Sequence, residues 1–220
     1  MIKEKKALIF DASSIITLAL TDLLHILGPL KEKFKGEFYI TKEVKYEIID
    51  KPIQERRFML EALFIKKLIE QGTLKVYPVI PKEQSRFLRT ANSTFISDGE
   101  FIKIVHPGEV SCAVLYNQLD AQKKAVVVDE RTMRLLCESP ENLRRLLENK
   151  LHKKISAVEK NYPFFKNFKI IRSCELALMA YEFGLVDLPA KKGEIIRALL
   201  YATKFSGCSI SSKEIDSLKI

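Results

Sequence analysis

Short apolar runs alternate along the chain with longer segments of helical periodicity. The runs are mostly continuous rather than alternating in polarity, which is typical of strands covered on both faces of a parallel sheet. Strands that take turns with helices favour an α/β fold with right-handed crossovers. The predicted strands are residues 6–10, 37–40, 74–77, 125–128 and 169–171.

The segments between these strands predict helices, each with a start or stop signal. Gly28-Pro29 is expected to end the first helix. Thr41 is expected to cap the second, and Asp50-Lys51-Pro52 to close it. Residues 82–105 give little pattern apart from a turn at Asp98-Gly99. The predicted helices cover 15–27, 41–50, 58–71, 107–119, 130–137, 174–184 and 190–205.

Residues 139–165 are interpreted as a basic helical insertion before the last strand. An apolar stripe at steps of three and four runs through residues 139–162, with lysines and arginines on the other faces, so we expect an exposed amphipathic helix or helix pair. Residues 173–220 would then be C-terminal helices and a tail, and residues 1–220 one domain. The stripe consists of Leu143, Leu147, Leu151, Ile155, Val158 and Tyr162.

Four acidic residues lie where a parallel sheet would bring distant segments to one edge. Asp11 and Asp129 directly follow predicted strands, and Glu47 and Glu109 lie early on predicted helices. Taken singly, these residues could cap helices, face solvent or interact with a helix dipole. Those explanations do not require the four to converge. Clustered carboxylates repel one another unless a cation lies between them, and oxygen ligands suit Mg²⁺ or Mn²⁺. The pattern therefore predicts a metal site.

The net charge of +9 favours a polyanionic partner such as nucleic acid. Phe87, between Arg86 and Arg89, could stack on a base, although core packing is the expected role of an aromatic residue at helical spacing. Basic residues shortly after Asp129 could follow a phosphate backbone, and binding through them would weaken steeply with salt. The candidates for RNA binding are Arg131, Arg134, Arg144 and Arg145.

Cysteines and histidines are scattered without the spacing of metal ligands, which argues against structural zinc and favours reduced, intracellular cysteines. Lys3 and its neighbours precede an apolar stretch that resembles a signal peptide, but Asp11 interrupts it. The uninterrupted apolar runs are too short for a membrane span, which needs about 18 residues. We therefore expect no membrane association and a cytoplasmic location.

Four segments, in this order, resemble the PIN-domain ribonucleases: Leu8-Ile9-Phe10-Asp11-Ala12-Ser13, Val44-Lys45-Tyr46-Glu47-Ile48, Pro107-Gly108-Glu109-Val110 and Val127-Val128-Asp129-Glu130. The resemblance implies a three-layer α/β/α sandwich with a central parallel sheet. It also implies metal-dependent cleavage of single-stranded RNA. Asp11, Glu47, Glu109 and Asp129 match the family's acidic positions. Ser13 matches a polar position near the metal, and Glu130 a position where many members carry a second acid.

These matches assign roles. Asp11 and Asp129 would be direct ligands of Mg²⁺ or Mn²⁺, and Glu109 would share the ion or hold one of its waters. Glu47 would act through water or orient the nucleophile. Ser13 could hydrogen-bond a ligand or a scissile phosphate oxygen. The metal would supply the acid–base chemistry.

The chain is longer than many family members, including the toxins of toxin–antitoxin pairs, and the insertion lies outside the minimal pattern. A role in RNA maturation is therefore open beside a toxin role, as are a homodimer and a protein partner such as an antitoxin. A non-cutting RNA-binding or assembly module on a PIN-like scaffold is the second hypothesis. A phosphatase or nucleotide hydrolase is the third. The missing Walker-type loop and the lack of a second aspartate in Asp11-Ala12-Ser13 argue against this third hypothesis.

Overall fold

The computed structural model of the protein describes residues 5–218; the first four residues, Lys3 among them, and the last two lie outside this range. Its strands, in chain order, are β1 (Lys6–Phe10), β2 (Glu37–Thr41), β3 (Lys75–Tyr77), β4 (Phe95–Ser97), β5 (Glu100–Phe101), β6 (Lys123–Val127), β7 (Ser156–Ala157) and β8 (Ile170–Ile171). The helices α1 to α7 are Ala12–Leu20, Leu27–Phe34, Lys42–Lys45, Lys51–Glu55, Met59–Glu70, Pro81–Asn92 and Pro107–Gln118. The helices α8 to α12 are Arg131–Glu138, Pro140–Leu151, Ser173–Glu182, Lys192–Phe205 and Ser212–Ser217.

Five strands form a parallel sheet in the order β3-β2-β1-β6-β8, which confirms the predicted α/β fold and its PIN-like sheet. Ala7 of β1 pairs with Glu37 on one side and Lys124 on the other. The chain moves outward from β1 to β2 and β3 and then crosses to β6 and β8 on the opposite side. Strand order therefore reverses between β1 and β6, the place where open α/β sheets form their functional crevice.

The sheet is buried from both faces, as continuous apolar strands require. Ile9, Phe10, Phe38 and Val127 are fully buried, and α7 packs directly against β1, β2 and β6. Within residues 5–218 no single helix is long and apolar enough to cross a membrane. One bent pair, Ala12–Leu20 with Leu24–Phe34, passes that test only when its two helices are taken together across a 113° bend.

Two predicted helix ends are wrong. The first helix ends before Asp22, which adopts a left-handed backbone conformation (φ 57°). The predicted stop signal, Gly28-Pro29, instead lies in the first turn of α2, where proline is tolerated. The second helix continues past Pro52 into α4 through a π-helical turn, Tyr46–Asp50. The wider turn just before Pro52 accommodates the proline ring and its missing N–H donor.

The insertion contains a helix, as expected, and also a strand that the sequence did not indicate. Leu143, Leu147 and Ile155 of the apolar stripe are buried, which places α9 against the core. Strand β7 pairs with β4 to complete a small antiparallel sheet in the order β5-β4-β7. The predicted turn at Asp98-Gly99 joins β4 to β5, and both of its residues have positive φ.

Candidate carboxylate site

Asp11 lies at the carboxyl end of β1, in the crevice where strand order reverses. Its backbone N–H donates to the Val127 carbonyl of β6 at 2.9 Å. Its Oδ2 accepts from the Ser13 N–H at 3.1 Å and from the Ser13 hydroxyl at 2.6 Å, so it caps α1. Burial raises the Asp11 pKa, the hydrogen bonds from Ser13 oppose that rise, and the charge of Glu130 adds to it.

Glu47 reaches the site from the π-helical turn, an element often found at functional sites. A Cβ placed on Gly108 would lie 3.1 Å from Glu47 Oε2, so this carboxylate rests against the first turn of α7 and would have to shift by a few tenths of an ångström to admit a larger residue there. Partial burial raises the Glu47 pKa, and the charge of Asp11 raises it further. Lys51 and His106 act in the opposite direction.

Glu109 occupies the first turn of α7, and its pKa is strongly raised. Its Oε2 accepts from the backbone N–H of His106 at 2.7 Å, which closes the helix N-terminus. Burial raises the Glu109 pKa to about 8, the His106 hydrogen bond opposes this, and the charges of Glu130, Asp11 and Glu47 raise it further. Asp11, Glu47, Glu109 and Glu130 are therefore close enough to perturb one another electrostatically. We call these four carboxylates the carboxylate site.

Asp129 and Glu130, adjacent in sequence after β6, have different surroundings. Asp129 is fully buried; its Oδ1 accepts from the Ser173 N–H at 2.8 Å and its Oδ2 from the Ser173 hydroxyl at 2.6 Å. Glu130 is partly buried, and its Oε2 accepts from the Met133 N–H at 2.8 Å, which caps α8. The charge of Glu130 acts on both Asp11 and Glu109. A direct-ligand role for Asp129 stays a prediction.

The donor set suits a hard divalent cation held partly through water. In the part of the chain that the structure describes, no three His, Cys, Asp or Glu side chains are placed closely enough to chelate one ion together. Mg²⁺ usually takes only one or two direct carboxylates and keeps several waters, which matches acids at this spacing. The raised pKa values of Asp11, Glu47 and Glu109 show that ionisation is disfavoured without a compensating charge. A bound cation would supply that charge.

The basic residues predicted to bind RNA fall into two groups. The Arg144 guanidinium donates to Glu141 at 2.6 Å and to Glu148 at 2.5 Å, and to the Ile155 carbonyl at 3.2 Å, so it holds the insertion together. Arg134 is likewise engaged, by Glu138 and the Ser209 carbonyl. Arg131 and Arg145 are exposed, and the nearest acid to Arg145 is Glu141 at 3.7 Å.

Phe87 packs in the core, as its spacing favoured. It is 2% exposed and contacts the rings of Phe164, Phe165 and Phe168 at centroid distances of 5.2 to 5.9 Å. Sequence reasoning missed Ser173 and His106, whose partners at the site are known only from the fold. The sole signal was a serine two residues after the last predicted strand, a common position for a helix start.

Residues 7–141, more than half of the chain, match the DUF3368 family model, which is described as a PIN domain. No curated protein and no solved structure gives a significant match to the chain. The match ends inside the insertion, so β8 and the helices α10 to α12 lie beyond it. It includes Asp11, Glu47, Glu109 and Glu130, whereas Ser173 is outside.

Proposed function

The chain belongs to the PIN-domain family, and we propose that it is a metal-dependent endoribonuclease that hydrolyses phosphodiester bonds of single-stranded RNA. The carrying observation is the carboxylate site itself. Acids from β1, the π-helical turn, α7 and the turn after β6 converge at the switch point of the sheet, and each of the first three has a raised pKa. Folding alone has no use for this arrangement, since mutual repulsion destabilises it.

Asp11 and Glu109 would hold Mg²⁺ or Mn²⁺, with Glu47 and Glu130 acting through its waters. A bound divalent ion lowers the pKa of a water and neutralises charge that builds on the phosphate. Ser13 orients the Asp11 carboxylate through its 2.6 Å hydrogen bond. The His106 N–H fixes Glu109 at the start of α7, whose dipole favours negative charge at that end. Glu47, which lies against Gly108, would orient a water.

RNA is the proposed substrate because the protein carries a surplus of nine positive charges. Arg131 directly follows Glu130 and is exposed, so it is the nearest candidate in sequence for a phosphate contact. Arg145 is exposed on α9 and would extend that contact. Arg134 and Arg144 would contribute through structure, because their guanidinium groups already have partners.

The test is cleavage of labelled single-stranded RNA by the purified protein with Mn²⁺ or Mg²⁺, with chelator, and by two variants. Asp11→Asn removes a charge of the site, and Glu182→Gln removes an exposed acid on α10 as a matched control. We expect metal-dependent cleavage that Asp11→Asn loses and Glu182→Gln keeps. Cleavage that ignores chelator, or an Asp11→Asn variant as active as the wild type, would refute the proposal. Hydrolysis of small phosphate esters with RNA left intact would indicate a phosphatase instead.

A second candidate is an assembly role, and an exposed apolar surface favours it. Large apolar side chains on α1 and at the start of α5 face solvent, with Leu60 62% exposed and Phe64 54% exposed. Contiguous patches of this kind mark protein interfaces. A second copy of the chain, or another protein such as an antitoxin, would cover it. The surface consists of Ile16, Leu20, Phe58, Leu60, Leu63 and Phe64.

Light scattering of the wild type and of Phe64→Ser tests this second candidate. A dimer that dissociates in Phe64→Ser would assign the surface to self-association. A monomer in both proteins that binds RNA without cutting it would leave an RNA-binding module as the better description. Efficient metal-dependent cleavage by a monomer would favour the nuclease alone.

A further inference from the structure

The carboxylate site is tied to the C-terminal helices by a continuous chain of hydrogen bonds. Ser173, at the start of α10, donates to both carboxylate oxygens of Asp129. The backbone N–H of Asp129 donates to Ser13 Oγ at 3.1 Å, and the Ser13 hydroxyl donates to Asp11 Oδ2 at 2.6 Å. The connection from α10 to Asp11 thus runs through Asp129 and Ser13 without a gap.

The Ser173–Asp129 pair has the properties of a built anchor. Both residues are fully buried, and the two hydrogen bonds measure 2.8 and 2.6 Å. A buried carboxylate is tolerated only when its oxygens are satisfied, and bonds of this length to a charged acceptor are strong. The N-terminal end of the ten-residue helix α10 adds a favourable dipole. Asp129 therefore has a fixed position before any ligand binds.

The main chain of Asp129 is held from a second direction. Its carbonyl accepts from the Ser209 N–H at 3.1 Å. The Ser209 carbonyl in turn accepts from Arg134 and Arg172, each at 3.3 Å. The segment that follows α11 thus fixes the same turn that α10 holds by its side chain. Because Glu130 is the next residue, its backbone is fixed as well.

Ser13 converts this fixed position into an orientation of Asp11. One hydroxyl has a single proton, which Ser13 Oγ gives to Asp11 Oδ2, leaving a lone pair for the Asp129 N–H. The direction of the hydroxyl is therefore set from both sides. A shift of the Asp129 turn would move Ser13 Oγ and, with it, the carboxylate that it holds.

We propose that Ser173 and Ser13 are positioning residues of the carboxylate site, and that Asp129 is their anchor rather than a metal ligand. The C-terminal region beyond the family match would then be part of the active-site architecture. This inference rests on the proposed function for its effect on metal binding, while the hydrogen-bond chain itself can be tested without metal. Partners that orient metal ligands typically change affinity by roughly 10- to 100-fold when removed.

The experiment measures Mn²⁺ affinity by calorimetry and amide hydrogen exchange by NMR on the full chain. Ser173→Ala and Ser13→Ala should each weaken Mn²⁺ binding by roughly tenfold. Both should speed exchange of the Asp129 amide. Asp129→Asn can still accept the Ser173 N–H and donate to its hydroxyl, so it should retain far more affinity than Asp129→Ala. Ser156→Ala is the matched control, because Ser156 is an exposed serine of β7 outside this chain of bonds.

The outcomes separate the two proposals. A wild type that binds no Mn²⁺ overturns the proposed function, and the exchange data then decide the positioning chain by themselves. Ser173→Ala with wild-type affinity and wild-type exchange at Asp129 overturns the chain. Asp129→Asn that loses Mn²⁺ as completely as Asp11→Asn makes Asp129 a ligand and overturns its role as anchor. A loss of affinity in Ser156→Ala equal to that in Ser173→Ala shows a general effect of serine removal and also overturns the positioning role.

Discussion

Replacing Glu109 by glutamine is expected to stabilise the metal-free protein while impairing the site. Burial, reinforced by the charges of Glu130, Asp11 and Glu47, raises the Glu109 pKa from 4.5 to about 8. Since a shift of one pKa unit corresponds to about 1.4 kcal/mol, the folded state disfavours the ionised Glu109 side chain by at most about 5 kcal/mol. The side chain is partly exposed and its surroundings relax, so we expect Glu109→Gln to recover roughly 2–4 kcal/mol.

The pH dependence of the free energy of unfolding follows from the upward shift of the Glu109 pKa. The folded protein keeps a proton on Glu109 that the unfolded chain releases as pH rises from 4.5 towards 8. The free energy of unfolding of the wild type should therefore fall through this window and stay level above it, with no contribution below pH 4.5. Glutamine does not titrate, yet its Oε1 can still accept the His106 N–H that Glu109 accepts at 2.7 Å. The two proteins should match at the acidic end and diverge at the alkaline end.

Urea denaturation followed by circular dichroism, in chelator and at several pH values across this window, measures the difference directly. Glu182→Gln, on an exposed face of α10, should leave the pH profile of the wild type unchanged. Saturating Mn²⁺ should largely offset the difference, since a ligand at about 100 times its dissociation constant stabilises the protein that binds it by about 2.7 kcal/mol. If the free energies of unfolding of wild type and Glu109→Gln change in parallel across this pH window, the burial of an uncompensated charge at Glu109 is refuted.

Three further outcomes test the assignments. Glu130→Gln, whose amide oxygen can still cap α8, should keep its melting temperature and lose Mn²⁺ affinity in calorimetry; unchanged affinity would remove Glu130 from the site. For single-stranded RNA, Arg145→Ala should reduce the slope of the logarithm of the binding constant against the logarithm of the salt concentration by about one. Arg144→Ala should lower the melting temperature and leave that slope unchanged. Gly108→Ala should place a Cβ 3.1 Å from Glu47 Oε2, displace that carboxylate and slow cleavage. The higher helix propensity of alanine should raise stability by only roughly 0–1 kcal/mol. Full activity would show that Glu47 tolerates displacement.

The central sheet could be predicted from the sequence because buried parallel strands carry a strong local signal. Residues 6–10 were placed correctly, and the other four central strands agree to within two residues at each end. Crossover rules limit the possible strand orders, and the observed order β3-β2-β1-β6-β8 places the ends of β1 and β6 side by side. That placement is sufficient to bring Asp11 and the turn after β6 together.

The small antiparallel sheet could not be predicted, for a physical reason. Strands β4, β5 and β7 are two or three residues long, and β7 is more than fifty residues beyond its partner β4. Such short elements have no periodicity of their own, and tertiary pairing decides their conformation. The π-helical turn that carries Glu47 is similar, because the sequence there reads as ordinary helix until Pro52 requires the ladder to change.

The two acids after β6 mark the limit of reasoning from strand patterns. Successive residues of an extended chain point to opposite sides, so the strand pattern alone does not say which of Asp129 and Glu130 faces Asp11. A strand with polar residues on one face would show which alternate positions point towards the site. Val126, Val127 and Val128 are all buried, so the preceding strand does not distinguish its two faces. What decides the matter is Ser173, 44 residues further along the chain, which supplies both hydrogen bonds that a buried aspartate needs. Once Asp129 is satisfied there, Glu130 is the acid of this turn left on the side of Asp11 and Glu109, and the C-terminal helices become a condition for the geometry of the site.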